Sequence, residues 1–304
     1  MAQPAAGYPS KPIRFIVPFP TGAGTDIIAR QVSARLTENL RQQVVVDNRP
    51  GASTIIGTEI VAKAPPDGHT IIIASNNHAI NSALFSKLPY DPVKDFAAVG
   101  RLAALPFVLV IHPSLPVAGV KELVAFARAR PGQLSYASTG NGTPPHVAGE
   151  LLKQLAKIDL IHVPYKGSPA ALTDVIAGQV PMMFANTLSA IQHVRTGRLR
   201  AIAVGATNRI SITPELPTVI EAGLPGFDVS LWSGILAPAR TPREIIVKLN
   251  QEVLKVLAMP EVKEKLAAEG AEVTPSSPEE FAALLVAEIE RLGRIARLAN
   301  MRVD

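Results

Sequence analysis

The sequence contains no cysteine in its 304 residues, which excludes disulfide bonds, thiolate metal sites and cysteine nucleophiles. Aromatic residues are scarce, with nine Phe, four Tyr and one Trp. The net charge is +5, but the Lys and Arg residues are scattered along the chain, which argues against a nucleic-acid-binding surface. No apolar run reaches the roughly 18 residues that a membrane-spanning helix needs. The balance of charge favours small anionic molecules as partners.

The sequence also lacks the common signatures of enzymes and cofactor sites. Its six histidines form neither a His-x-x-x-His nor a His-Glu-x-x-His pattern, so we predict no metal site. It has no Gly-x-Ser-x-Gly motif, no Gly-Lys-Ser/Thr phosphate loop and no dinucleotide motif that we would accept. These absences give little support for an enzyme, and we predict no cofactor. The alternative is a lyase or transferase that acts on a carboxylate substrate with His146 as the general base.

The pattern that is present is an alternation of short β-branched runs with helical stretches. Hydrophobic residues make up 47% and charged residues 18%, as expected for a globular chain with a sizeable core. The alternation predicts an α/β fold with parallel sheets in two lobes, each with a central sheet flanked by helices. The predicted strands are 13–17, 44–47, 70–74, 107–112, 134–137, 159–163, 181–184 and 200–204.

Two longer extended runs, 97–112 and 229–238, have no helical pattern beside them. We interpret them as two crossings of a hinge, and the predicted lobes are 1–105 plus 229–304 and 106–228, with crossings near 103–110 and 226–238. After residue 238 the sequence predicts three helices, at 242–257, 261–269 and 278–298. Thr241 and Ser277 are the expected N-caps, and the three helices form a packing layer.

Twice, an apolar run is followed by a loop rich in glycine and hydroxyl residues and then by a helix. The first loop (residues 20–26) precedes a helix from about Asp26, and the second loop (residues 138–143) precedes a helix from Pro144. A helix N-terminus offers free backbone N–H groups and a positive dipole end, which suit an anion. The first loop has no Lys or Arg and carries Asp26, so a carboxylate fits better than a phosphate. The alternative is that Gly22 and Gly24 only permit a tight turn and that Thr25 caps the helix.

Other polar residues follow the predicted strands at 70–74 and 181–184, at the sheet edge where open α/β folds bind ligands. His146 is expected at the third helical position, as a ligand contact or as a structural hydrogen-bonding residue. Tyr165 and Trp232 either cover the ligand or belong to the core. The predicted ligand-binding residues are Phe19, Thr21, Gly22, Ala23, Gly24, Thr25, Ser75, Asn76, His78, Ser138, Thr139, Gly140, Asn141, Gly142, Thr143, His146, Tyr165, Asn186 and Trp232.

Several segments together resemble one protein family along nearly the whole chain. It is the family of Bug-type, or TctC-type, receptors, the periplasmic solute-binding proteins of tripartite tricarboxylate transporters. The segments that carry the resemblance are Val17-Pro18-Phe19-Pro20-Thr21-Gly22-Ala23-Gly24-Thr25-Asp26, Asn48-Arg49-Pro50-Gly51-Ala52, Ala64-Pro65-Pro66-Asp67-Gly68, Leu88-Pro89-Tyr90-Asp91-Pro92, Lys94-Asp95-Phe96, Tyr136-Ala137-Ser138-Thr139-Gly140-Asn141-Gly142-Thr143, His146, His162-Val163-Pro164-Tyr165-Lys166-Gly167 and Trp232-Ser233-Gly234.

The resemblance implies a two-lobed "Venus flytrap" without enzymatic activity, which captures an organic acid and delivers it to the permease subunits of a transporter. It implies that the two loops hold a carboxylate, partly through ordered water, with His146 beside the second loop. It also implies a periplasmic protein, and the start of the chain at 1–6 looks like a processed terminus after removal of a signal peptide. We further expect a monomer.

The sequence departs from the family pattern at two places. Ser53-Thr54-Ile55 stands where Gly-Gly-Asn is usual, and Ala185 stands where Asp is common. Because the loss of an acid removes a partner for an ammonium group, we expect a ligand without an amine. The expected ligand classes are a dicarboxylate, a hydroxy acid or an aromatic carboxylate.

Overall fold

The computed structural model describes residues 7–229, 231–268 and 270–298. The strands are β1 (Ile13–Val17), β2 (Val44–Asn48), β3 (Thr70–Ser75), β4 (Phe96–Leu105), β5 (Phe107–Ile111), β6 (Ser135–Ser138), β7 (Ile161–Pro164), β8 (Met182–Asn186), β9 (Arg200–Val204), β10 (Leu231–Pro238) and β11 (Glu272–Val273). The helices are α1 (Gly24–Leu40), α2 (Ile55–Ala62), α3 (Asn76–Leu84), α4 (Val120–Arg128), α5 (Pro144–Ala156), α6 (Ser168–Ile176), α7 (Thr187–Arg195), α8 (Arg243–Ala258), α9 (Pro260–Ala268) and α10 (Pro278–Leu298).

The strands form two sheets, which are mixed rather than purely parallel. A six-stranded sheet has the order β11-β4-β10-β3-β1-β2, and a five-stranded sheet has the order β7-β6-β8-β5-β9. The prediction of parallel pairing is confirmed for β1 with β2 and β3 and for β6 with β7 and β8. It is wrong for β10, β11 and β4 and for the pairs of β5, which are antiparallel. These strands include the extended crossing runs, which have no helical crossover to make them parallel to a neighbour.

The runs 97–112 and 229–238 are therefore sheet strands as well as crossings. The chain leaves the six-stranded sheet at Leu105 and enters the five-stranded sheet at Phe107, with only Pro106 between them. We call the part around the six-stranded sheet lobe I and the part around the five-stranded sheet lobe II. The predicted lobe boundaries, and motion about the crossings, stay predictions.

Most predicted element boundaries lie within one or two residues of the observed ones. Strands 13–17 and 200–204 agree with β1 and β9. Ser277 caps α10, since its Oγ accepts the Glu280 N–H (3.2 Å) and Glu280 Oε2 accepts the Ser277 N–H (2.8 Å). The N-cap prediction for Thr241 is wrong, because Pro242, with an extended backbone, directly precedes α8. Residues 1–6 and Glu269, the predicted end of the middle helix, lie outside the described residues.

An apolar core connects both sheets. One cluster of buried side chains includes Ile72 and Leu236 of the six-stranded sheet together with Phe107 and Leu109 of the five-stranded sheet. Helix α10 packs on α3 in lobe I and also contacts α5 in lobe II. The C-terminal packing layer therefore bridges the two lobes. Within the described ranges, no helix combines the length and the apolar character that crossing a bilayer requires.

Candidate functional site

The side chain of Asp26, which is only 1% exposed, supports the first loop through hydrogen bonds. Its carboxylate accepts hydrogen bonds from the Gly22 N–H (2.8 Å), Arg30 Nε (3.0 Å) and Asn48 Nδ2 (2.8 Å). Asn48 Nδ2 also donates to the Phe19 carbonyl (3.0 Å). Burial alone would raise the pKa of Asp26, but these hydrogen bonds and the Arg30 charge hold it below its ordinary value. Asp26 is thus an ionised support for the loop.

These contacts decide which donors of the first loop are available. The Gly22 N–H is used by Asp26 and the Ala23 N–H by the Pro20 carbonyl (3.2 Å). Helix α1 begins at Gly24, earlier than the predicted start, and its first intrahelical donor is Ile27 N. The amides of Gly24, Thr25 and Asp26 therefore have no intrahelical acceptor. Ala23 occupies the N-cap position that was an alternative role for Thr25.

Most of the donors in the second loop form hydrogen bonds to the loop itself or to His146. The Gly140 N–H donates to Ser138 Oγ (3.1 Å), and the Gly142 N–H donates to His146 Nδ1 (3.0 Å). Thr143 donates to the Gly140 carbonyl through both its N–H (3.3 Å) and its Oγ1 (2.7 Å).

Helix α5 then opens with two prolines, Pro144 and Pro145, which have no N–H. The two loops are therefore not equivalent anion sites. The first presents helix amides, whereas the second presents the half-buried Thr139 and the exposed Asn141.

His146 lies at the third position of α5, as predicted, and its ring is 9% exposed. It stacks on His162 of β7, with ring centroids 3.8 Å apart and planes 7° apart. Burial and the neighbouring His162 lower the pKa of His146 to about 4. Burial also lowers the pKa of His162. At neutral pH both rings are uncharged.

Ser75 ends β3, the strand next to β1 in the sheet, and α3 begins at the following residue. The side chain is 3% exposed and does not cap α3. Among the described residues, its hydroxyl has no hydrogen-bond partner. A buried hydroxyl without a partner is costly, which points to a group that is supplied by a ligand or water.

Two of the predicted contacts, His78 and Trp232, have other roles in this structure. His78 is 2% exposed and bonds to the Pro92 carbonyl through Nε2 (2.8 Å), with its ring against Tyr90 and Phe96. Trp232 is 2% exposed, and its Nε1 donates to Glu288 (3.2 Å). Both rings are core residues because they fill the packing around α3 and α10, so we omit them from the proposed site.

Tyr165 is half-buried, and its hydroxyl donates to Asp174 of α6 (2.7 Å). At the end of β8, Asn186 is half-buried, and the next residue, Thr187, donates to the Pro106 carbonyl (2.8 Å). This bond fixes the start of α7 to the crossing between the sheets. Ala185 is 1% exposed in an apolar cluster of lobe II, so it gives little support for the expected absence of an amine.

Groups from the two lobes meet between these strand ends. A small cavity is lined by Asn76 and Ile80 of α3, by Gly142, Pro144 and Val147 of lobe II, and by Val229 and Leu292. Gly142 lies so close to α3 that a Cβ there would be 2.5 Å from Leu84 Cδ1. A Cβ on Gly24 would be 3.3 Å from Leu105 Cδ2, beside the crossing. The second loop and α3 therefore share one interlobe cleft.

The sequence reasoning missed three residues whose side chains hold loops in place, namely Asn48, Asn81 and His162. Asn48 lies in one of the segments that carry the family resemblance, but no sequence pattern indicated its role. Asn81 of α3 donates to the Ser53 carbonyl (2.7 Å) and accepts from Ser53 Oγ (3.1 Å). It thereby holds a left-handed turn in which Ala52, Ser53 and Thr54 have φ values of 43°, 51° and 78°. Three such residues in a row are unusual without glycine, and no local pattern predicts them. His162 was likewise only a motif residue.

Two sheets with flanking helices, joined by crossing strands, define a two-lobed protein with the periplasmic-binding-protein fold. The chain belongs to the family described as the tripartite tricarboxylate transporter family receptor (TctC), whose profile matches residues 28–301. This confirms the resemblance found in the sequence.

Solved structures similar to this chain include Rpa4515 from R. palustris with adipate, at 36% identity and a TM-score of 0.85, covering 97% of this chain and 100% of that one. The periplasmic binding protein BugD has 30% identity and a TM-score of 0.81, with coverage of 97% and 100%. MatC (Rpa3494) from Rhodopseudomonas palustris with bound malate has 34% identity and a TM-score of 0.80, with coverage of 95% and 99%.

Proposed function

We propose that this protein is a periplasmic receptor that binds a small organic acid between its lobes and delivers it to the membrane subunits of a tripartite transporter. One observation carries the proposal. Two adjacent strand ends of lobe I present polar groups that lack a partner within the described part of the chain, namely the first-turn amides of α1 and the buried hydroxyl of Ser75. They lie on the same edge of the sheet because β1 and β3 are parallel neighbours.

A carboxylate suits these groups better than a phosphate. The cation nearest in sequence, Arg30, is paired with Asp26 and also donates to Asn48 (2.8 Å). Neutral donors therefore have to satisfy the anion. Hydrogen bonds to a charged group are worth roughly 1.5–3 kcal/mol each, so a few of them reach the about −8 kcal/mol of a micromolar complex.

The expected ligand is an acid without an amine, such as a dicarboxylate or a hydroxy acid. This preference is supported by the adipate and malate bound in the similar proteins Rpa4515 and MatC. Neither molecule carries an ammonium group. An aromatic carboxylate is a third class to test.

Calorimetry of the purified protein against adipate, malate, benzoate, aspartate and inorganic phosphate tests the ligand class. We expect micromolar binding of at least one amine-free acid and none of phosphate. Tight binding of aspartate alone would contradict the ligand class, and binding of phosphate alone would contradict the proposed carboxylate site. Absence of binding by every acid would contradict the proposed function.

The combined change Thr139→Ala and Asn141→Ala tests the second loop. We expect affinity to fall at least about 100-fold, since two hydrogen bonds to a charged group are lost. The matched control is Thr207→Ala with Asn208→Ala, an adjacent pair of exposed polar residues elsewhere in lobe II. The control should bind as the unaltered protein does, and equal affinities of the two double variants would mean that the second loop is only a turn.

We also propose that binding leaves the acid chemically unchanged. His146 Nδ1 already accepts the Gly142 N–H, so this nitrogen is not positioned to take a proton from a substrate. Proton NMR of each acid after prolonged incubation should show no product. Delivery is tested by uptake of the acid in cells that express the transporter's membrane subunits with and without this protein.

A further inference from the structure

We propose that His146 and His162 act as a pair of positioning residues for the second loop, and that the loop keeps its ligand-binding shape only while both rings are neutral. This inference rests on the proposed function, since it concerns the same cleft. It assigns a role to His162, which does not belong to the predicted ligand-binding set. It also predicts that proton uptake by the histidines and binding of the ligand are coupled.

The two rings hold opposite ends of the loop. His146 Nδ1 accepts the Gly142 N–H (3.0 Å), and His162 Nε2 bonds to Ser138 Oγ (2.6 Å). Ser138 Oγ also accepts the Gly140 N–H (3.1 Å). The rings come from different elements, α5 and β7, and are locked together by their stacking. Because the loop is pinned at both ends, its inner amides face the rings while Thr139 and Asn141 remain on the outside.

The hydrogen bond to Gly142 requires an unprotonated Nδ1 on His146, so a neutral ring carries its proton on Nε2. Protonation of Nδ1 would set two donors against each other across 3.0 Å and would break this bond. A charge on both rings would also place two cations at a 3.8 Å separation. A fall in pH should therefore release the Gly142 end of the loop first.

The charged groups around the pair partly oppose one another. Glu150 of α5 favours the protonated rings, whereas Lys153 of α5 disfavours them and is paired with Glu150 (3.0 Å). Tyr136 stacks on His162 at 5.0 Å and donates to Glu150 (2.7 Å). On α10, which contacts α5, Glu288 and Arg291 pair with each other (2.7 Å). Burial and the mutual effect of the rings prevail, and the pKa of His146 is lowered to about 4.

The sign of the pH effect follows from that value. In the unfolded chain a histidine takes up its proton near pH 6.5, whereas His146 in the folded protein does so only near pH 4. Because of this pair, the free energy of unfolding decreases progressively as the pH falls from 6.5 to 4. In the folded protein the loop remains intact to about pH 5 and is released as the pH approaches 4.

The test compares two substitutions that cannot titrate. His146→Gln retains a hydrogen-bond acceptor near Gly142, and His146→Leu removes it. At pH 7.5 we expect His146→Gln to bind adipate or malate within about threefold of the unaltered protein and His146→Leu to bind at least tenfold more weakly. His193→Gln is the matched control, because this partly exposed histidine belongs to α7 rather than to α5 or β7, and the substitution should leave affinity unchanged.

The pH profile distinguishes positioning from a purely structural role. Calorimetry between pH 7.5 and 4 measures the affinities of the unaltered protein and of His146→Gln. The ratio of the two affinities is independent of ligand ionisation, because ionisation affects both measurements equally. We expect the ratio to be constant to about pH 5 and to fall about twofold by pH 4, where half of the His146 rings are protonated. A constant ratio over the whole range, or unaltered binding by His146→Leu, would overturn the inference.

A readout without ligand separates this inference from the proposed function. If no acid binds at pH 7.5, the proposed function fails, but the Gly142 amide still reports on the loop. Its NMR shift and its protection from hydrogen exchange should change near pH 4 in the unaltered protein and not in His146→Gln, with circular dichroism confirming the fold. An amide that is insensitive to pH in both proteins would overturn the positioning role.

Discussion

At the scale of single residues, the carboxylate of Asp26 determines the shape of the first loop. Replacing Asp26 by Asn keeps only one acceptor oxygen on the side chain. At least one of the hydrogen bonds from Gly22, Arg30 and Asn48 is therefore weakened or lost. We expect a loss of about 1–3 kcal/mol in the free energy of unfolding at pH 7 and weaker ligand binding. The exposed Arg30 contributes little of this loss, since surface ion pairs are screened. Urea titration measures the change.

The pH dependence of that loss has a defined sign. The folded-state pKa of Asp26 lies below its unfolded value, so its stabilisation is present above about pH 4 and disappears as the pH falls further. The difference between Asp26→Asn and the unaltered protein should therefore shrink between pH 4 and pH 3. Glu38→Gln, at an exposed pair on the same helix, is the control and should cost less than about 0.5 kcal/mol. A cost for Asp26→Asn that is the same at both pH values would show that its charge is unimportant.

At the scale of elements, the packing of α5 on β6 depends on Gly149. A Cβ at this position would lie 2.0 Å from Cε2 of the buried Tyr136. Alanine is the better helix former by about 1 kcal/mol, but here the overlap prevails and displaces the Tyr136 ring from Glu150. We expect Gly149→Ala to destabilise the protein by about 1–3 kcal/mol in thermal or urea unfolding.

Gly293 of α10 provides a matched comparison with the opposite sign. A Cβ there would meet only the end of the Arg297 side chain at 3.4 Å and Ala83 at 3.7 Å. Gly293→Ala should therefore gain about 0.5–1 kcal/mol. If both substitutions shifted stability in the same direction, helix propensity rather than packing would control these positions.

At the scale of the whole molecule, Gly142 limits how closely lobe II approaches α3. Its φ of 74° already strains any other residue, and a Cβ would also overlap Leu84. If the lobes close on the ligand, as the resemblance to a Venus flytrap implies, Gly142→Ala should weaken binding about tenfold, and Leu84→Ala in the same chain should restore part of the affinity. Calorimetry measures affinity, and small-angle scattering measures the compaction on binding.

Gly140→Ala controls for backbone strain alone. Gly140 also has a positive φ of 131°, but its Cβ would meet only lobe II atoms, at 3.4 Å from the Tyr165 carbonyl oxygen. Leu84→Ala should not restore its affinity. Equal rescue of both glycine variants by Leu84→Ala would argue against a steric contact between the lobes.

The amount of structure that the sequence predicts depends on how local the cause is. Strand β1, the proline-led start of α5 and the capping box at Ser277 agree with prediction because their signals lie within a few residues. The antiparallel pairing of β10 with β3 and β4 was missed, because pairing depends on partners more than 100 residues away. Likewise, no local pattern shows that Asn81 would hold the turn at Ser53.

The sequence by itself determined the α/β alternation, the polar strand ends and the family, because these follow from periodicity and from motifs of contiguous residues. It also contained the asymmetry of the two loops, since Pro144 and Pro145 have no N–H. Only the tertiary structure decided that Asp26 supports its loop, that His78 and Trp232 belong to the core and that His146 stacks on His162. These outcomes depend on burial and on side chains brought together from distant segments, and neither is encoded in local order.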